Sequence, residues 1–199
     1  MGSGDRWNAN LHAFDRVLRD VPPHARRGLD VGCGEGETAR RLRRRVQSVV
    51  GIDPHEPSIT QARSYGDDIE YVVGDVFEAT IPGAPFDVVT ACAMLHHVDH
   101  RRALERLATL VAPGGTLLVV GLSFARDPSD YARDVWDAIT IRRHLLMKRE
   151  WHTTAPIVWP PPLSYDQVRS VTRSVLPTCD VRRVPYFRYS IVWKRPRHV

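Results

Sequence analysis

Three glycines at alternate positions follow an acid in the run Gly28-Leu29-Asp30-Val31-Gly32-Cys33-Gly34-Glu35-Gly36-Glu37. A turn of this kind lets a ligand approach the backbone closely, because no Cβ stands in the way and positive φ costs little. A helix opening behind it offers its free N–H groups to an anionic or polar ligand group. Asp53 closes the apolar run Val49-Val50-Gly51-Ile52 about 20 residues after the first glycine, where a doubly wound α/β fold sets a carboxylate against ribose hydroxyls. The chemistry these types and spacings favour is the binding of a nucleoside. A dinucleotide fingerprint needs a third glycine where Glu37 stands, so a nicotinamide dehydrogenase is a lesser reading.

The Asp30-Val31-Gly32-Cys33-Gly34-Glu35-Gly36 segment resembles the first motif, D-x-G-x-G-x-G, of the class I S-adenosylmethionine (SAM) dependent methyltransferases. The resemblance implies SAM as cofactor and S-adenosylhomocysteine as product. It assigns the methionine moiety to Asp30 and the Gly32, Cys33, Gly34, Gly36 turn, and leaves the ribose to Asp53. Pro54 becomes a packing surface for the adenine, Asp75 and Val76 its hydrogen-bonding partners, with Gly74 and Ala93 in the same binding set. A carboxylate accepting from the adenine amino group discriminates that base, since its loss would leave a buried donor unpaired.

The segment Ala93-Met94-Leu95-His96-His97-Val98-Asp99-His100 sharpens the resemblance to small-molecule methyltransferases of the ubiquinone and menaquinone biosynthesis type. The N/D-P-P-Y/F segment of enzymes that methylate nucleobases or glutamine amides is missing at this point. An oxygen or acidic-carbon acceptor calls for a base, and histidine titrates in the right range. His97 and His96 lead as catalytic candidates because they follow a strand end, where open α/β sheets carry their sites. His12, His144 and His152 compete with them. A metal site from His97, Asp99 and His100 has no supporting spacing, so no metal is expected.

The elements that must position these residues follow from periodicity. Phe14, Val17, Leu18 and Val21 give residues 5–21 a helical stripe ended by Pro22-Pro23, and the resemblance implies that such a helix, with Trp7, Asn10 and His12, lies over the mouth of the site. Strand Leu29–Val31, helix Glu35 to about Val46 and a strand ending at Asp53 come next. Pro57 and Ser58 open another helix. A strand ends in Gly74-Asp75, and Phe86–Cys92 is apolar enough for a strand covered on both faces. Asp99 caps a helix striped by Leu104, Leu107, Ala108 and Val111. Pro113-Gly114-Gly115 turns into strand Thr116–Val120. Ser164 and Gln167 form a capping-box pattern on the last helix, closed by Leu176-Pro177, and strands Cys179–Val184 and Phe187–Trp193 finish the chain.

The fold expected is α/β, doubly wound, a mostly parallel seven-stranded Rossmann-like sheet whose last strand the resemblance makes antiparallel. One domain spans 5–199, with an N-terminal helix at 5–24 and a helical lid at 122–163. That lid carries Tyr131, Trp136, His144, Met147, Trp151, His152 and Trp159, and a long insertion of this kind is usually functional.

With 199 residues, 43% of them apolar, the chain can bury one sizeable core. No run of about 18 apolar residues and no leader pattern occurs, so a cytoplasmic protein away from membranes is expected. Cys33, Cys92 and Cys179 show no metal spacing and read as reduced thiols. The net charge of +5 invites a nucleic-acid reading. However, Lys148 and Lys194 are the only lysines, and Arg40, Arg41, Arg43, Arg44 and Arg45 read mainly as a solvated helix face. The expected partner is a small-molecule acceptor, oxygen-directed, with the protein a monomer or homodimer. An RNA-directed methyltransferase and a SAM-binding protein without transfer activity stay open as alternatives.

Overall fold

The computed structural model describes residues 8–124, 135, 160–185 and 187–197. The expected lid, apart from its ends 122–124 and 160–163 and residue 135, lies outside them, as does Trp7. Seven strands form one sheet: β1 (Arg27–Val31), β2 (Ser48–Asp53), β3 (Glu70–Val73), β4 (Phe86–Cys92), β5 (Val111–Leu122), β6 (Asp180–Val184) and β7 (Arg188–Lys194). Their order is β3-β2-β1-β4-β5-β7-β6. β7 runs antiparallel to both of its neighbours, and the other pairs are parallel. The expected seven-stranded sheet with an antiparallel last strand is the one observed.

Five helices complete the described fold: α1 (Ala9–Val17), α2 (Glu37–Arg43), α3 (Glu56–Ser64), α4 (His100–Leu110) and α5 (Tyr165–Val175). Two apolar clusters form on the sheet, one holding Leu104, Leu107 and Val168 from α4 and α5. The other holds Phe14, Val17, Leu42 and Ile59 from α1, α2 and α3. Helices on both faces explain why β4 and β5 are buried nearly throughout and read as continuous apolar runs. The caps are those expected: Asp99 accepts from the Arg102 N–H, and Ser164 with Gln167 completes the reciprocal capping box of α5.

Boundaries differ from expectation where side chains or distant backbone take over. α2 stops at Arg43, whose guanidinium donates to the Val46 carbonyl, so the last turn unwinds into a side-chain cap. β5 begins at Val111 and absorbs the expected Pro-Gly-Gly turn. Its pairing with β4 jumps from Phe86↔Val111 to Val88↔Thr116, and Gly114 and Gly115 exchange backbone hydrogen bonds with Arg195.

The chain walks outward from β1 to β2 and β3, then returns across β1 to place β4 on its other side. That reversal opens a crevice above the carboxyl ends of β1 and β4, the usual ligand position in open α/β sheets.

Candidate functional site

At the end of β1 the chain needs to turn sharply over the sheet, and it does so through Gly32, Gly34 and Gly36, all with positive φ. Gly32 is required by crowding, because a Cβ there would stand 2.7 Å from the Met94 Cβ. Gly34 is different. A Cβ added there would meet no atom within 4 Å and would project into open space.

That space is a cavity of about 390 Å3, within the range of small-molecule sites. Its wall comes from the ends of four parallel strands and from the first turn of α1. Of the site residues expected from the sequence, Gly32, Cys33, Gly34, Asp53, Pro54, Gly74, Asp75, Val76, Ala93 and His97 line it. The chain separates these by up to 65 positions and the switch point brings them together.

Asp30, Gly36 and His96 are not on that wall. Asp30 lies fully buried behind it, beside Thr90 of β4 in the parallel register. Its two carboxylate oxygens accept from Thr38 Oγ1 at 2.5 Å and Thr90 Oγ1 at 2.7 Å. Burial raises its pKa to about 6 against the pull of those two hydroxyls, which leaves it ionised at neutral pH. Its effect on a ligand is therefore indirect, through Thr38, which does line the cavity. Gly36 takes the left-handed conformation at the N-cap of α2.

Asp53 is fixed at both oxygens. Oδ2 accepts from the Gly34 N–H at 2.9 Å and Oδ1 from the His55 N–H at 2.8 Å. The carboxylate thus joins the glycine turn to the start of α3 and faces the cavity from between them. Asp75 Oδ1 accepts from the Phe77 N–H at 2.9 Å, a turn-forming bond that fixes its side chain at the cavity rim.

The two histidines share a short 3-10 turn at Leu95–His97, their rings 4.1 Å apart. The pair divides: His97 lines the cavity, and His96, its ring packed against that of His97, does not. His96 Nδ1 is buried without a hydrogen-bond partner, and desolvation, with His97 as a lesser cause, lowers its pKa to about 4. Desolvation also lowers the pKa of His97, with Asp53 pulling the other way, so the imidazole facing the cavity is neutral at pH 7. A neutral imidazole can accept a proton.

Cys33 and Cys92 also line the cavity. Burial raises both thiols, Cys92 to about 12, so neither supplies a thiolate nucleophile. All three cysteines are free, as expected. Among the described residues no group of His, Cys, Asp and Glu is arranged to hold a metal ion.

Two wall residues, Asn8 and Leu11, had no signal in the sequence. They reach the cavity because α1 packs across it, as does Asn10, which was named with the helix expected over the mouth of the site and is held there by the Arg188 guanidinium of β7. Glu37 occupies the place of a dinucleotide fingerprint's third glycine, and that mismatch was its only trace. It is buried, lines the cavity and accepts from Arg40 and Arg41 at 3.2 Å each. Those contacts correct the expectation of a solvated arginine face. Arg41 also pairs with Asp15 of α1, and Arg43 with Asp68 at 2.6 Å. Most of the run's charge is spent within the fold.

Comparison with known proteins places these features in a family context. A family model described as a methyltransferase domain matches residues 29–119, from β1 into β5. An uncharacterized methyltransferase of Mycobacterium tuberculosis is 38% identical over 195 residues, covering 96% of this chain and 98% of the relative. A ubiquinone biosynthesis O-methyltransferase of Azorhizobium caulinodans is 35% identical over 137 residues, covering 58% of this chain and 54% of its own length. Among solved structures, the N-methyltransferase NodS of Bradyrhizobium japonicum in complex with S-adenosyl-l-homocysteine superposes with a TM-score of 0.62 at 16% identity. It covers 95% of this chain and 89% of that one.

Proposed function

The chain belongs to the class I SAM-dependent methyltransferases, and on that premise we propose that it methylates an oxygen of a small-molecule acceptor, with His97 as general base. One observation carries the reading: a single cavity joins the Gly32–Gly34 turn, Asp53 and Asp75 to a neutral imidazole at the end of β4. The relative from Azorhizobium, named as an O-methyltransferase, supports oxygen as the target.

The described residues fit the cofactor. Gly34 leaves free the volume a side chain would fill, and Asp53 faces that volume with its orientation fixed by two N–H groups. When bound, SAM supplies a methyl group already activated for displacement by its sulfonium. Asp53 holds the ribose hydroxyls, Asp75 and Val76 the adenine edge, Pro54 its face, and the glycine turn the methionine moiety. Thr38, oriented by Asp30, keeps the start of α2 in register with that turn. The protein's remaining work is placement, which supplies up to about 7 to 11 kcal/mol in model systems. His97 accepts the proton of the acceptor hydroxyl as its oxygen becomes the nucleophile.

Thermal unfolding with SAM and S-adenosylhomocysteine, followed by transfer of labelled methyl to hydroxylated small molecules and to bulk RNA, tests the reading. Both nucleosides should raise Tm, and label should appear on small-molecule oxygen. Transfer confined to RNA, with binding that falls steeply with salt, would favour the RNA-directed reading. Binding with no transfer to any acceptor would identify a SAM-binding protein.

A further inference from the structure

We infer that the side-chain amide of Asn10, held by Arg188, is a binding group for the cofactor and donates its NH2 to the carboxylate of the SAM methionine moiety. The inference rests on the methyltransferase reading above and deepens it at the end of the cofactor farthest from the adenine.

Asn10 stands in the first turn of α1 and lines the cavity. Three of its polar groups are already taken. Its backbone N–H donates to the side-chain oxygen of Asn8, the N-cap of α1, at 2.7 Å. Its carbonyl oxygen accepts from the Cys92 thiol at 3.9 Å, and its side-chain oxygen accepts from Arg188 Nε at 2.5 Å. A guanidinium has donors only, so the atom facing Arg188 is the amide oxygen and the NH2 is the edge left over. That NH2 has no hydrogen-bond partner among the described residues. Arg188 is not on the cavity wall, so the amide turns its oxygen behind the wall and its NH2 toward the cavity.

The place fits the methionine moiety. β1 and β4 are parallel neighbours with Val31 opposite Ala91, so Gly32 and Cys92 follow side by side at the ends of the two strands. The Cys92 thiol reaches Asn10, which sets the amide one strand away from the glycine turn proposed for the methionine chain. The nucleoside is assigned to the other side, at Asp53 and Asp75. Across the strand order β3-β2-β1-β4, the adenine, ribose and methionine positions and then Asn10 follow one another.

Charge favours an anion there. An amide whose oxygen is bound to a cation is polarised, and its N–H groups become stronger donors. The charge of Arg188 is felt on the wall: burial is the main cause that raises the Cys92 thiol, and Arg188 opposes it by favouring the anion. A carboxylate at the amide gains the same attraction.

The test is calorimetry on the full chain with SAM and with decarboxylated SAM, which keeps the nucleoside, sulfonium and ammonium but lacks the carboxylate. The parent should bind SAM more tightly. Asn10→Asp leaves Arg188 paired and replaces the NH2 by a second carboxylate oxygen, so Kd for SAM should rise about tenfold or more. Decarboxylated SAM should bind that variant at least as tightly as it binds the parent. Asn10→Ala, which also removes the contact to Arg188, should weaken SAM by a larger factor than decarboxylated SAM. A merely structural Asn10 would move both ligands alike. Equal losses for the two ligands in either variant, an unchanged Kd for SAM, or a parent that binds both ligands equally would overturn the inference. Failure of the underlying reading looks different: neither ligand would bind the parent.

Discussion

At the scale of single residues, the division between His96 and His97 is the sharpest functional statement the molecule makes. Both are neutral at pH 7, but only His97 lines the cavity. His97→Ala should therefore lower kcat by a factor of about one hundred to ten thousand, with SAM affinity preserved. His96→Ala should act on stability instead. Because burial lowers the pKa of His97 below the ordinary 6.5, its base form is already abundant at mildly acidic pH. The kcat/KM profile should rise with pH about a midpoint below 6.5, and a limb centred above 7 would remove His97 from the role. Asp53 permits a parallel test on the cofactor. Asp53→Ala loses the proposed ribose contact and releases the Gly34 and His55 N–H groups together. SAM dissociation constants should rise at least about tenfold, equivalent to about 1.4 kcal/mol, and an unchanged value would contradict the ribose assignment.

At the scale of elements, the glycine turn and the helix behind it separate binding from folding. Gly34 opens on the cavity, whereas a Cβ at Gly36 would strike the Tyr71 hydroxyl. Both substitutions incur the left-handed penalty of about 1 kcal/mol. Gly34→Ala should weaken SAM binding with only a small change in Tm, and Gly36→Ala should lower Tm markedly. Calorimetry and thermal unfolding of the two variants check the contrast; equal effects on both readouts would sink it. This turn was legible in the sequence because positive φ admits few residue types, so its glycines recur at fixed places. The strand-end acids were legible for a related reason, since a parallel strand ends where its apolar run ends. Asn8 and Leu11 were not, because their approach to the cavity depends on how α1 crosses the sheet, a tertiary fact that helical periodicity does not contain; Asn10 was named only through the family resemblance. The arginine run misled in the same way. Glu37, Asp15 and Asp68 are 4, 26 and 25 positions from their arginine partners, and only the folded chain shows which charges meet. The reach of α2 to Val46 failed because a side-chain cap on a carbonyl can replace the last helical turn at little cost.

At the scale of the whole molecule, buried titratable groups on opposite faces of the sheet set how stability responds to acid, and they act in opposite directions. Asp30 has its pKa raised from 3.8 to about 6. Between those values the folded state holds a proton that the unfolded chain does not, so this group adds stability as pH falls, by about 3 kcal/mol in total. His100, packed against Thr172 of α5 and edge-on to Tyr189 of β7, has its pKa lowered from 6.5 to about 4. Between those values the unfolded chain holds the extra proton, so stability present above 6.5 is lost on acidification, on the order of 3 kcal/mol for a fully buried ring. Asp30 and His100 nearly cancel, and the lowered pKa of His96, a half-buried ring whose contribution solvent screening reduces, tips the balance toward a net loss. Urea unfolding from pH 7 to 4 should show that net decline in the parent protein. Asp30→Asn removes the compensating gain and should steepen it, while His100→Gln should flatten it. A slope left unchanged by both substitutions would mean that neither buried group differs in proton affinity between the folded and unfolded chain.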